Sequence, residues 1–311
     1  MRAVVTGSAG FIGSHLCDRL LRDGHDVVAV DRLGARADAR LIHRSLDLAE
    51  DDLKAALDGA DVVFHLAARS GLRNADHRGF DEFVHDNLVA TQRLLDAVAR
   101  VQIGRLVFAS SHAIYGEAER LPTKESAIPR PLSSEGVTKL AAESLALAYG
   151  RNYGVHVNVL RYFSVYGPRQ RPDMAVARFL DALTGDHEIA IYGDGEQTRD
   201  FTYVADVIEA TVRAATTDST GEILNIGGGS RATLNEVLTA LEDITGRRVR
   251  RRYLPAKPGD QRHSAASINK ARQLLGWEPR VGLRLGLAQQ WSSFRNAGRN
   301  GYGAAREAVT V

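Results

Sequence analysis

A chain of 311 residues that is 44% hydrophobic has room for one large α/β domain or two unequal ones. Its formal net charge of +2 does not call for nucleic acid as a partner, and its one basic cluster, Arg247, Arg248, Arg250, Arg251 and Arg252, lacks interleaved aromatics and reads as a solvated edge. The lone Cys17 excludes an intramolecular disulfide, no apolar run approaches membrane-spanning length, and the N-terminus enters a strand at once, so a soluble cytoplasmic chain with no signal peptide, no membrane contact and no metal is expected.

The run Arg2 to Thr6 is apolar, β-branched and too short for a helix. It breaks at Gly7, after which Phe11, Ile12, Leu16, Leu20 and Leu21 recur at helical spacing. A second apolar run, Val27 to Val30, ends in Asp31. Strand, glycine turn, helix and strand in this order form a dinucleotide cradle. Gly7, Gly10 and Gly13 give the tight turn, the close approach to a pyrophosphate and the close helix packing, while the helix N-terminus faces the phosphates. Asp31, 18 residues after Gly13, stands where a carboxylate accepts both hydroxyls of an adenosine ribose.

Further on, Ser45 to Leu48 reads as a third strand. Its Asp47 either lies beside the adenine amino group or is a surface aspartate. Asp61 to Ala68 is the fourth strand, with Ala67 and Ala68 small enough for a flat ligand to lie against them and His65 read as a packed histidine. A long helix runs through Asn87 to Leu95, and Arg105 to Ser111 is the fifth strand. Ser110 and Ser111 fall at its carboxyl end, the edge where open parallel sheets hold ligands. From Pro131 to Glu143 the pattern is a capped amphipathic helix in which Glu135 and Lys139, at i and i+4, have the spacing of a surface ion pair. Strands follow at Val157 to Phe163 and Glu222 to Gly227. Three polar loops, 164–172, 192–201 and 258–262, carry arginines, of which Arg199 and Arg262 suit a diphosphate. From Gly298 onward periodicity is lost and the chain is expected to fray.

Taken together, Thr6 to Gly13, His65 to Ala68, Ser110 to Gly116, Gly136 to Glu143, Arg161 to Pro172, Gly193 to Asp206 and Gly259 to His263 resemble the extended short-chain dehydrogenase/reductases of the NAD-dependent sugar epimerase/dehydratase type, over nearly the whole chain. The resemblance implies an α/β fold, a doubly wound parallel Rossmann sheet over 1–167 plus 200–229, with a second, smaller sugar-nucleotide-binding domain over 168–199 plus 230–297 and a flexible tail over 298–311. It implies bound NAD, held by Gly7, Gly10, Phe11, Ile12, Gly13, Asp31, Arg32, Asp47, Leu48, Ala67, Ala68, Lys139 and Tyr162. Asp31 would select NAD, although Arg32 beside it is of a type that can accept a 2′-phosphate. A UDP-sugar would be held by Arg73, Ser111, Ser164, Tyr192, Arg199 and Arg262, with Ser111, Glu135 and Lys139 catalytic. A homodimer through the helices at Leu94 and Lys139 is also implied; Leu140, Leu145 and Leu147 fit either its seam or the chain's own core.

Two departures bear on the reaction. The position four before Lys139 is a tyrosine base in the family and Glu135 here; a carboxylate, with a reference pKa of ~4.3, is a poorer match for an alcohol proton but can carry a proton along one face of a sugar. The acid pair that 4,6-dehydratases place after their threonine is replaced by His112 and Ala113. The main expectation is therefore 5,6-dehydration of UDP-N-acetylglucosamine through a transient 4-keto sugar, as in the nucleotide-hexosamine 5,6-dehydratases of tunicamycin-type antibiotic biosynthesis. A UDP-sugar 4-epimerase is the alternative, and a silent sensor of NAD or a sugar nucleotide is the alternative of another class.

Overall fold

The computed structural model describes residues 1–34, 38–71, 79–256 and 259–303, with side chains to residue 297. The N-terminal part alternates strand and helix: β1 (Arg2–Thr6), α1 (Phe11–Arg22), β2 (Asp26–Asp31), β3 (Leu41–Ser45), α2 (Lys54–Leu57), β4 (Val62–His65), α3 (Phe80–Phe83), a π turn (Val84–Val89) leading into α4 (Ala90–Arg100), β5 (Arg105–Ser111), α5 (Ser134–Tyr153) and β6 (His156–Tyr162). Then come β7 (Val165–Tyr166), α6 (Ala175–Gly185), β8 (Ile189–Tyr192), β9 (Thr198–Asp200), β10 (Thr202–Tyr203), α7 (Val204–Thr216), β11 (Glu222–Ile226), β12 (Arg231–Thr233), α8 (Leu234–Thr245), β13 (Arg251–Leu254), α9 (Asn269–Leu275) and α10 (Leu283–Gly303).

Seven strands form one parallel sheet in the order β11-β6-β5-β4-β1-β2-β3. Its central strands are unbroken apolar runs because helices cover both faces: Ala3, Val4 and Val5 have no exposed surface at all. One face packs with Phe11, Leu16 and Leu20 of α1 and Val207 of α7, in a core that continues without a break to Leu238 of α8 and Trp277. The other packs with Leu94 and Leu95 of α4 and Ala142 and Ala146 of α5. Strand order reverses between β1 and β4, so the carboxyl ends there open a crevice, the place where such sheets bind ligands. Three two-stranded pairs, β7 with β10, β8 with β13 and β9 with β12, lie outside the main sheet. No described helix is long and apolar enough to cross a membrane.

Several boundaries differ from the sequence reading. The third strand is Leu41–Ser45, not Ser45 to Leu48, because this edge strand is half exposed and lacks an apolar run; Asp47 lies just beyond it. The fourth is confined to Val62–His65. The helix through Asn87 starts as a π turn that turns Asp86 and Asn87 inward. At the C-terminus the backbone of α10 is helical to Gly303.

Candidate active site

The glycine turn between β1 and α1 is closed as tightly as its sequence suggests. A Cβ at Gly13 would stand 2.1 Å from the carbonyl oxygen of Gly7, and Gly10 donates its N–H to that same oxygen at 3.1 Å. Phe11 is buried and Ile12 packs against the core. The N-terminus of α1 has no side-chain cap and no acid in its first turn, so its field is left to an incoming anion. Beside it Ser8 Oγ is buried with no hydrogen-bond partner, an arrangement a phosphate oxygen would satisfy. Asp31 Oδ2 accepts from Ala9 N at 2.9 Å and Oδ1 from Leu33 N at 3.0 Å, which fixes the carboxylate at the end of β2. These residues fit NAD.

The neighbouring cofactor candidates divide. Arg32 Nη1 and Nη2 fork onto Asp86 at 3.2 and 3.0 Å, with Asp47 at 3.4 Å. Asp47 is held locally: Oδ1 accepts from Ala49 N and its own N–H donates to Asp51, so the carboxylate serves a turn and Arg32. Leu48 is buried, and Ala67, half-buried, donates its N–H to Thr6 Oγ1. His65 is a packing residue. Its Nδ1 lies 2.8 Å from Thr6 Oγ1 and its Nε2 2.9 Å from Thr91 Oγ1. Because Thr91 already donates to Asn87 O, the consistent tautomer carries its proton on Nε2. Burial, aided by the charge of Lys139, pulls its pKa down to about 3. Tyr162 ends β6 with its hydroxyl buried against Thr211 of α7, 2.7 Å away.

Lys139 and Glu135 also differ from the surface-pair reading. Lys139 is buried; Nζ donates to Ala109 O at 2.8 Å and lies over the Phe108 ring. Burial lowers its pKa to about 8, with the charges of Glu135 and Glu143 opposing the shift. Glu135, in the first turn of α5, accepts instead from Gly71 N through Oε2 at 2.8 Å. That anchor was invisible in sequence, since it joins residues 64 apart. The loop carrying Gly71 is itself tied down: Asn87 Oδ1 accepts from Arg69 N while Asn87 Nδ2 donates to Thr138, and Arg171 binds Ser70.

Ser111 ends β5, and its Oγ accepts from Ala113 N at 3.1 Å. His112 stacks on Phe163 and donates from Nδ1 to Tyr162 O at 3.2 Å; burial and the charge of Arg199 lower its pKa to about 4. Behind them a buried strut runs through the sheet: Ser110 donates to Glu143, Glu143 pairs with Arg161 at 2.5 Å, Arg161 donates to Tyr115 OH, and Tyr115 donates to Asn225.

The two expected phosphate arginines already have partners. Arg199 Nη2 meets Asp260 at 2.5 Å, and Arg262 forks onto Asp194 at 2.7 and 2.8 Å, holding the Asp194 carboxyl well below the usual range. A diphosphate would have to share or replace those carboxylates. Ser164 O accepts from Thr202 N, and Tyr192 O accepts from Gln197 Nε2. Arg73 lies outside the described residues.

A family model described as the NAD dependent epimerase/dehydratase family matches residues 3–227. An uncharacterized UDP-glucose epimerase, YtcB of Bacillus subtilis (strain 168), is 38% identical over 306 residues, covering 93% of this chain and 96% of the relative. Among solved structures, MoeE5 in complex with UDP-glucose and NAD is 43% identical with a TM-score of 0.92, over 96% of this chain and 99% of that one. The UDP-glucuronic acid 4-epimerase of Bacillus cereus, in complex with UDP-glucuronic acid and NAD, is 37% identical with a TM-score of 0.91, over 96% and 100%.

Proposed function

The chain belongs to the NAD-dependent epimerase/dehydratase family, and from that premise we propose that it interconverts the C4 epimers of a UDP-sugar with no net redox change. It is an NAD-dependent enzyme of UDP-sugar modification. The observation that carries the finer reading is the near full-length likeness to proteins named as UDP-sugar 4-epimerases, with Ser111, Glu135 and Lys139 gathered at one sheet edge. NAD, when bound, supplies a hydride acceptor that later gives the hydride back. Ser111 Oγ accepts from Ala113 N, so its own O–H is left to donate to the sugar O4. Glu135, with Oε2 fixed by Gly71, uses Oε1 to take the O4 proton and to return it. Lys139 places a cationic group, partly discharged near pH 8, where it orients the nicotinamide ribose.

Glu135 in place of a phenol also favours a second reading, the 5,6-dehydration of UDP-N-acetylglucosamine. There Glu135 would take the C5 proton once C4 is a ketone and help deliver a proton to the C6 hydroxyl, which would leave as water, and the hydride would return to C4. Segments 168–199 and 230–297 are proposed as the sugar-nucleotide side. We also propose a homodimer through α4 and α5: Leu145 and Leu147 pack on the chain's own core, whereas Val137 on the α5 surface and Val89 before α4 are exposed.

The deciding experiment incubates the purified protein with NAD and, separately, UDP-glucose, UDP-glucuronic acid and UDP-N-acetylglucosamine, followed by mass spectrometry and NMR. Unchanged mass with inverted C4 is expected. Loss of one water would move the protein to the dehydratases, and no reaction despite bound NAD would leave a silent nucleotide-binding protein.

A further inference from the structure

Arg32 immediately follows Asp31, the carboxylate that would face the adenosine ribose of bound NAD, and an arginine there is the side chain that accepts a 2′-phosphate in NADP-binding sheets. Here the guanidinium is already engaged. Both of its Nη atoms fork onto Asp86, and Nη1 also reaches Asp47. Asp86 comes from a different element, the π turn before α4, and its side chain is only 7% exposed. It is fixed from two further directions, accepting from Arg69 Nε at 2.9 Å and pairing with His85 Nδ1 at 3.0 Å. A carboxylate held by three side chains cannot follow Arg32 outward, so for Arg32 to turn to a phosphate the fork must break.

We propose that Asp86 is a specificity-determining residue for the cofactor: by holding Arg32 it withdraws a cation next to Asp31 that could otherwise hold a 2′-phosphate. Rejection of NADP then has two independent parts, repulsion by Asp31 and the withdrawal of Arg32. Neutralising Asp31 alone leaves the second part in force.

Competitive binding separates the two. Protein is incubated with equal concentrations of NAD and NADP, gel-filtered, and the retained nucleotides are quantified by mass spectrometry, with Kd values for NADH and NADPH from fluorescence titration. In the Asp31→Asn background, adding Asp86→Asn is expected to raise the NADP to NAD binding ratio by about tenfold, the scale of one recovered charge-assisted contact. Adding Arg32→Met to that pair should abolish the gain. Asp86→Ser serves as a second release variant if thermal melting shows Asp86→Asn to be poorly folded. A ratio in Asp31→Asn that does not change on releasing Arg32, or a gain that survives Arg32→Met, would overturn the proposal.

Discussion

Lys139 is an ammonium placed where the fold would prefer none. Its folded pKa of about 8 lies below the ordinary 10.5, so below pH 8 the folded state carries a buried charge that the unfolded chain would solvate, and that cost fades as pH rises from 8 toward 10.5. Lys139→Met should therefore raise Tm at pH 7, with the gain shrinking toward pH 10, while turnover is lost; a lowered Tm at pH 7 would contradict this. Histidine burial acts at the acid end. His65 and His112, with folded pKa values of about 3 and about 4, bind fewer protons than in the unfolded chain between roughly pH 4 and 6.5. Stability should fall as pH drops through that window, and His112→Phe should flatten the slope in urea titrations. For Glu135→Gln, the amide oxygen can still accept from Gly71 N, so NAD binding and folding should persist while turnover falls by about 10²-fold or more; kinetics within a few-fold of wild type would remove Glu135 from the chemistry. Sequence singled out Glu135 and Lys139, but the surface ion pair that their spacing allows is not what forms: Glu135 accepts from Gly71 N and Lys139 donates to Ala109 O. Spacing along a helix says which residues share a face, and it is the sheet edge and the Gly71 loop that decide what that face touches.

The turn from β5 into α5 shows how elements place these groups. Ser133 caps α5 by accepting from Gly136 N at 3.2 Å, and a Cβ on Gly136 would stand 2.7 Å from Ala113 O. The first turn of the helix thus rests directly on the segment after Ser111. Gly136→Ala should push α5 away from that segment, and we expect a loss of turnover larger than the loss of Tm; a fully active variant would show that the spacing between Ser111 and Glu135 is not critical. Elements with a strong periodic signal, β1, the glycine turn, α1 and β2, were legible from sequence alone. The third strand was placed too late, because Leu41–Ser45 lies at the sheet edge with three of its five residues exposed and has no apolar run to mark it. The π turn carries no sequence signal of its own; its consequence, Asp86 and Asn87 facing inward, appears only once α4 is packed.

At the scale of the molecule, the doubly wound parallel sheet was legible through the family resemblance, and the alternation of strand and helix from β1 to β6 agrees with it. The partners of Arg199 and Arg262 were not legible, because Asp260 and Asp194 lie 61 and 68 residues away from them. The cradle around Ser8 and Asp31 exists only in the folded chain, so NAD should stabilise the whole molecule: at a hundredfold excess over Kd the gain is about 2.7 kcal/mol, read as a rise in Tm that is lost when nucleotide is stripped. An unchanged Tm at saturating NAD would contradict a preformed cradle. The outermost strand β11 pairs with β6 only after the chain has passed through β8 and β9, and Asn225 on it receives Tyr115 from 110 residues earlier. On the ribosome, the Arg161–Glu143 pair is therefore synthesised long before its final cover emerges. A nascent chain stalled before residue 222 would present β6 as an open edge, making that stretch of translation the interval in which a chaperone has most to protect.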